Sequence, residues 1–248
     1  MGPGTGRRLG RSRQRASSGD GIAGGPRCVA LLVRIDVWSD VICPWCYLGK
    51  RRLQGALADH PRAGDVQVFW HSYELDPTAP PHDDRSMSEI VAKKYGISEE
   101  QALAGQRRLT DLAAEVGLEY HLDRTRRANT FDAHRLLHLA RDREAQDEVY
   151  EALFRAYFTD GRLISDPHEL ESVGAAAGLD AVEIRHVLQS DAYAEHVRRD
   201  ERAALDIGVT GVPFFLFQMK YGLAGAQAPE ALRKIVDRLT ADEDADSV

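Results

Sequence analysis

Cys43 and Cys46 carry chemistry by type and spacing alone, in the run Cys43-Pro44-Trp45-Cys46. Sulfurs at i and i+3 near a helix start lie close enough to form a disulfide. A bridge across so few residues removes little entropy from the unfolded chain and has almost no value as a staple. Its use lies in being made and broken. Pro44 suits the first position of a helix, where a missing N–H costs nothing. Cys43 then sits at the N-terminus, facing unpaired N–H groups and the positive end of the helix dipole. Such surroundings favour the thiolate, whose pKa in comparable motifs falls to ~3.5–7. Cys43 is therefore expected to be the nucleophile, substantially ionised at neutral pH. Cys46, a turn inside, is expected to resolve the mixed disulfide, with Pro44 and Trp45 tuning the couple and lining the substrate site.

Two other uses of the pair were weighed. Buried, inert cysteines need neither the strand before the motif nor the helix after it. A zinc site needs four ligands, and one CxxC supplies two, so histidines would have to complete it. His134 and His138 have helical i, i+4 spacing, but without the glutamate of an HExxH motif such a pair is more often surface or core histidine. No metal is expected. The third cysteine, Cys28, reads as an unpaired bystander, and three cysteines in 248 residues exclude a secreted disulfide framework.

The elements that must position the sulfurs follow from pattern. Residues 1–32 are mostly Gly, Arg, Ser, Gln and Pro with little to bury, and are expected to form a disordered extension. From Leu31 to Trp38, apolar Val33, Ile35 and Val37 alternate at the strand period. A short turn leads into a helix from Cys43 to about His60, and Val66 to Leu75 has strand character. From about Ser86 to Gly208 the pattern is almost entirely helical. Within it, Ser98 with Gln101 forms a capping box closed by Gly117, Asp166 with Pro167 and Glu169 opens a helix ended by Gly178, and Asp180 with Glu183 opens another. Helices are also expected over Thr130–Arg143, Glu144–Phe158 and Asp191–Asp206. Strands return at Phe214–Gln218 and Tyr221–Leu223, and a helix spans Pro229–Leu239. The acidic tail, 242–248, is expected to fray. The order implies an α/β fold split by a large all-helical insertion domain, with segments 33–80 and 207–241 forming one domain and 81–206 the other.

Charge narrows the function classes. The formal charge is −7, yet residues 1–33 carry six Arg against Asp20, or +5, which leaves −12 for the remainder. An acidic body repels a phosphate backbone, and the basic segment lacks aromatics interleaved for base stacking, so no nucleic-acid partner is expected. No apolar run approaches the ~18 residues of a membrane span. Arg7 and Arg8 are not followed by the apolar region of an export signal, which points to the cytoplasm.

Asp36 to Gly49, reading DVWSDVICPWCYLG, Asn129 to Leu136, reading NTFDAHRL, and Thr210 to Phe215, reading TGVPFF, together resemble the FrnE-like branch of the DsbA superfamily. The match spans nearly all of residues 34–240. The resemblance implies a thioredoxin fold with an inserted helical domain. It also implies that Pro213 belongs to a cis-proline loop that packs beside the disulfide and offers the Val212 backbone to an extended substrate. The competing reading is Pro213 as an ordinary trans strand opener. The superfamily includes kappa-class glutathione transferases and 2-hydroxychromene-2-carboxylate isomerases, which use glutathione and typically carry Ser where this chain has Cys43. A resolving cysteine shortens the life of any Cys43 adduct, which suits electron transfer and hinders isomerisation or conjugation. Asn129, Thr130 and Gln227 belong near the cleft or serve as caps.

The activity expected is thiol-disulfide exchange on protein or small-molecule disulfides and thiols. It needs no cofactor beyond the two sulfurs, with glutathione a possible co-substrate, and the protein is expected as a monomer or homodimer. The alternatives are a glutathione-dependent isomerase or transferase of aromatic or polyketide metabolism, and a binding module that holds unfolded chains without redox turnover.

Overall fold

The computed structural model describes residues 33–81 and 83–246. The expectations for residues 1–32, with Cys28 and the strand start at Leu31, and for residues 247–248 lie outside the described residues. The chain begins β1 (Val33–Ser39), α1 (Pro44–Ala58) and β2 (Val66–Ser72). Seven helices follow: α2 (Met87–Tyr95), α3 (Glu99–Ala114), α4 (Phe131–Asp142), α5 (Gln146–Phe158), α6 (Pro167–Ala176), α7 (Ala181–Leu188) and α8 (Ala194–Asp206). It closes with β3 (Phe214–Phe217), β4 (Tyr221–Ala224) and α9 (Pro229–Asp246).

The four strands form one sheet in the order β2-β1-β3-β4. β1 and β2 run parallel, as a helical crossover requires, whereas β3 runs antiparallel to β1. The end of β1, the end of β2 and the start of β3 therefore meet at one edge, where Trp38 is paired with His71 on one side and Phe214 on the other. This is a thioredoxin fold with helices inserted between β2 and β3.

Alternation in β3 sorts its side chains between two apolar clusters. Phe215 and Phe217 enter the main core with Val33, Ile35 and Val37 of β1, and that core continues into the inserted helices through Leu136, Tyr150 and Phe154. Leu216 and Phe214 turn the other way, toward Trp38, Ala204 and Val209. The Trp38 indole N–H donates to the Asp200 carbonyl of α8 at 2.9 Å, and its ring stacks on His71 at 4.7 Å.

The expected caps are present. Ser98 and Gln101 close a capping box, Asp166 and Asp180 accept N–H groups in the first turns of α6 and α7, and Ser86 with Glu89 adds a box the reading had not singled out. Gly117, at φ +76°, ends the turn after α3 as expected, and the chain then runs irregularly to α4, a gap in the otherwise helical block. The last helix, expected over Pro229–Leu239, continues into the acidic segment as far as Asp246.

A buried polar seam ties β1 and β2 to α8. The His71 ring faces Asp36 at 2.7 Å and Asp200 at 3.3 Å, and Asp200 also accepts the Ser72 N–H at 3.0 Å. Burial opposes ionisation of Asp36 and Asp200, but the facing histidines, with Arg34 on Asp36, outweigh it and hold both carboxyls below the usual range. Burial likewise opposes charge on His71, but its two carboxylates raise its pKa above the ordinary value. Each lowered carboxyl contributes stability that is complete above the unfolded pKa near ~4 and is lost as pH falls toward the folded value. The raised His71 contributes stability complete below ~6.5 and lost as pH climbs through its folded pKa. Asp200→Asn should cost about 1–3 kcal/mol at neutral pH and flatten the loss of stability on acidification, both read from thermal melts across pH. Parallel acid slopes in wild type and variant would remove the seam as their source.

Gly49 marks a close approach. A Cβ there would lie 3.0 Å from Pro213 Cγ and 3.3 Å from Phe215 Cζ, so α1 rests directly on the loop that opens β3. Gly49→Val is expected to destabilise the fold by about 1–3 kcal/mol through overpacking. It should also slow reaction of Cys43 with a peptide disulfide, because the clash falls on the loop beside it. A variant as stable and as reactive as wild type would show that the loop yields freely.

Candidate active site

The cysteine motif occupies the first turn of α1. Pro44 takes the first helical position, and Cys43 is the N-cap in extended conformation, φ −89° and ψ 110°. Its side chain makes no cap hydrogen bond, so a sulfur stands where Ser or Asp would normally place an oxygen. The Cys43 carbonyl accepts the Cys46 N–H at 2.9 Å, which turns Cys46 inward. Both are free thiols.

The loop before β3 comes up against the first sulfur. The Cys43 thiol donates to the Val212 carbonyl with an Sγ to O distance of 3.5 Å, across 169 residues of sequence. The Val212–Pro213 peptide bond is cis, Pro213 is buried, and its carbonyl accepts the Gly225 N–H at 2.8 Å. Cys43, Cys46, Val212 and Pro213 thus share one locus. Trp45, 43% exposed, stands out from it beside half-buried Pro44. Asn129, Thr130 and Gln227 serve locally: Asn129 accepts the Phe131 N–H at 3.0 Å, Thr130 is buried as N-cap of α4, and Gln227 donates to the Ala224 carbonyl at 2.6 Å.

Exposure distinguishes the two sulfurs less than helix position suggests: Cys43 is 3% exposed and Cys46 fully buried. The difference is electrostatic. Burial, and then the charge and hydrogen bonding of Cys43 beside it, push the Cys46 thiol well above the ordinary cysteine range, partly offset by Ser39 and the backbone N–H of Asp40. Of the two, Cys46 is the thiol whose surroundings resist ionisation.

The inserted helices and their loops brace this turn. The Tyr120 hydroxyl donates to the Pro44 carbonyl at 2.7 Å, from the irregular segment between α3 and α4. Tyr120 stacks on Tyr47 at 5.9 Å, and Tyr47 on Phe154 of α5 at 4.8 Å. One turn further along α1, buried Lys50 is held by Asp147 at 3.0 Å and Glu151 at 3.1 Å. The histidine pair on α4 proves to be core histidine: His134 faces Asp40 at 3.3 Å, and His138 faces Ser72 at 3.1 Å. Among the described residues, no group of three or more His, Cys, Asp or Glu is placed to hold a metal ion. Tyr120 had no signal in the sequence beyond the break at Gly117. Asp40 and His134 lay inside motifs noted for other reasons.

Known proteins share the fold. Residues 34–237 match the family model of the DSBA-like thioredoxin domain. The crystal structure of a probable DsbA oxidoreductase, SCO1869 from Streptomyces coelicolor, is 42% identical and superposes with a TM-score of 0.80, covering 83% of this chain and 89% of that one. An uncharacterized protein of Bacillus subtilis (strain 168), YwbO, is 26% identical over 198 residues, 75% of this chain and 87% of its own length. A 2-hydroxychromene-2-carboxylate isomerase shares the fold at 20% identity, TM-score 0.63, covering 87% of this chain and 99% of that one. Since the matched span takes in the sheet, the cysteine turn, the inserted helices and the proline loop alike, this chain belongs to the family of DSBA-like thioredoxin domains.

Proposed function

We propose that this protein is a thiol-disulfide oxidoreductase in which Cys43 attacks a substrate disulfide and Cys46 resolves the mixed disulfide. The observation that supports it most is the ordering of the two sulfurs: Cys43 caps the helix against the Val212 carbonyl, and Cys46 lies fully buried, where burial raises its thiol pKa. Attack by the Cys43 thiolate forms a mixed disulfide and expels one substrate sulfur as a thiolate. The bond removes the charge on Cys43, and with it one of the two effects that keep Cys46 protonated. Cys46 then loses its proton and attacks Cys43, expelling the second substrate thiol. Substrate gains two electrons and two protons, and the protein is left as the disulfide. In reverse the same steps oxidise a dithiol.

The narrow exposure of Cys43 favours an extended peptide or a glutathione-sized molecule lying along the Val212 backbone, as a strand adds to a sheet edge. A chain with three cysteines and no disulfide framework suits the cytoplasm. Among the described residues no helix is long and apolar enough to cross a membrane. The fold shared with a 2-hydroxychromene-2-carboxylate isomerase supports a second reading, glutathione-dependent isomerisation or transfer at Cys43. In that chemistry Cys46 is dispensable.

The two readings separate on single variants treated with oxidised glutathione or a peptide disulfide and followed by mass spectrometry. Cys46→Ser is expected to accumulate a mixed disulfide on Cys43 and lose turnover, whereas Cys43→Ser traps nothing. Equal trapping by both variants would sink the assignment of attacker and resolver. Full turnover by Cys46→Ser would favour the isomerase or transferase.

A further inference from the structure

Behind the cysteine turn lies a set of buried ionisable groups that thiol exchange, as described above, does not use. Asp40 stands at its junction. Its backbone carbonyl accepts the Cys43 N–H at 3.0 Å, and its backbone N–H is directed at the Cys46 sulfur. Its carboxylate points the other way: Oδ2 accepts the Leu75 N–H at 2.7 Å, and Oδ1 faces His134 Nε2 at 3.3 Å. Both side chains of the pair are wholly shielded from solvent. His134 Nδ1 and Glu74 Oε1 are also buried, and neither has a hydrogen-bond partner within the described residues. Keeping these groups in the interior carries the full desolvation cost of each, and an apolar side chain at 134 would fill the space without it. What the histidine adds is charge.

We propose that Asp40 and His134 form a buried carboxylate–imidazolium dyad that sets the charge felt by the Cys43 and Cys46 sulfurs, with His134 a positioning residue acting through Asp40. The inference rests on the dithiol reading above and names the device that tunes it. Every element packed around His134 contributes to its state. Asp40 faces it from the turn after β1, Glu74 from the segment after β2, and Glu201 from α8. Arg198 of α8 bonds Glu74 at 2.7 Å, and His138 lies a turn along its own helix. Burial opposes the charge on His134, but Asp40 first, then Glu74 and Glu201, outweigh it and raise its pKa above the ordinary value. With His134 protonated, the sulfurs meet a neutral pair. Without that proton they meet a bare carboxylate, which disfavours the Cys43 thiolate. No electrons move in this device; one proton on one imidazole changes the field at the sulfurs.

The test is the pH dependence of Cys43 alkylation by iodoacetamide in fully reduced protein, the adduct being located by peptide mass spectrometry. His134→Gln should shift the midpoint of the rate curve upward by about one pH unit, making alkylation on the order of tenfold slower at pH values below the wild-type midpoint. Asp40→Asn combined with His134→Gln should bring the rate back to within about threefold of wild type, since removing both charges leaves no bare anion. A His134→Gln curve that overlays wild type, or a double variant as slow as the single one, overturns the dyad. Should the variants not fold, the wild-type protein still decides. Charge coupling is reciprocal, so the imidazole 15N resonances must give His134 a higher pKa in the dithiol form than in the disulfide form. Equal values in the two forms overturn the proposal. Alkylation reads the dyad whether or not the protein turns over a disulfide, so failure of the trapping experiment with Cys46→Ser would count against the function and leave this result standing.

Discussion

The hydrogen bond from Cys43 to the Val212 carbonyl is the contact on which the rest of the architecture converges. It joins segments far apart in sequence, and it requires β1 to end, α1 to begin and β3 to start at the same edge of one sheet. A parallel β1–β2 pair with a helical crossover, and an antiparallel β3 beside β1, meet that requirement. Gly49 lets α1 rest on Pro213 closely enough to keep the carbonyl over the sulfur. A side chain there would separate the two halves of the site.

The sheet edge that gathers these segments is also rich in buried charge. Asp36, Asp40, His134, Glu74 and Asp200, with half-buried His71, all lie on or beside the ends of β1 and β2 or on the helices that cover them. Burying an ion pair seldom adds to stability once desolvation is counted, so apolar residues of similar volume would hold these elements together as well or better. The charges accumulate beside the turn that carries Cys43 and Cys46. There a low dielectric makes each one count for more than it would at the surface.

Much of this was legible in the sequence because it is written in local rules. Strand periodicity placed β1, Pro44 placed the start of α1, and the pairs Ser98 with Gln101 and Asp180 with Glu183 placed helix starts through short-range hydrogen bonds. The juxtaposition of Pro213 with Cys43 came from family resemblance, since nothing in the local pattern carries a contact across the inserted helices. What stayed hidden was of that long-range kind. Tyr120 sits in an irregular stretch between α3 and α4 with no periodicity to give it a direction, and its role exists only because the fold brings the Pro44 carbonyl to it. His134 and Asp40 each have an ordinary sequence context. Their pairing is visible only once α4 is laid against the end of β1.

The inserted helices are therefore part of the site. Besides the aromatic contacts of Tyr47, the segment Ser39 to Lys50 is touched from that block by Tyr150 on the Ser39 carbonyl, His134 on Asp40, Tyr120 on the Pro44 carbonyl, and Asp147 with Glu151 on Lys50. Two of these bind backbone carbonyls, which every sequence presents, and two bind side chains that must be those residues. The backbone contacts brace the turn, while the side-chain contacts join Asp40 and α1 to the inserted helices. A CxxC motif grafted onto the same strand and helix without this block would keep its sulfurs at the right spacing. It would lose the aromatic wall behind Tyr47 and the imidazole behind Asp40.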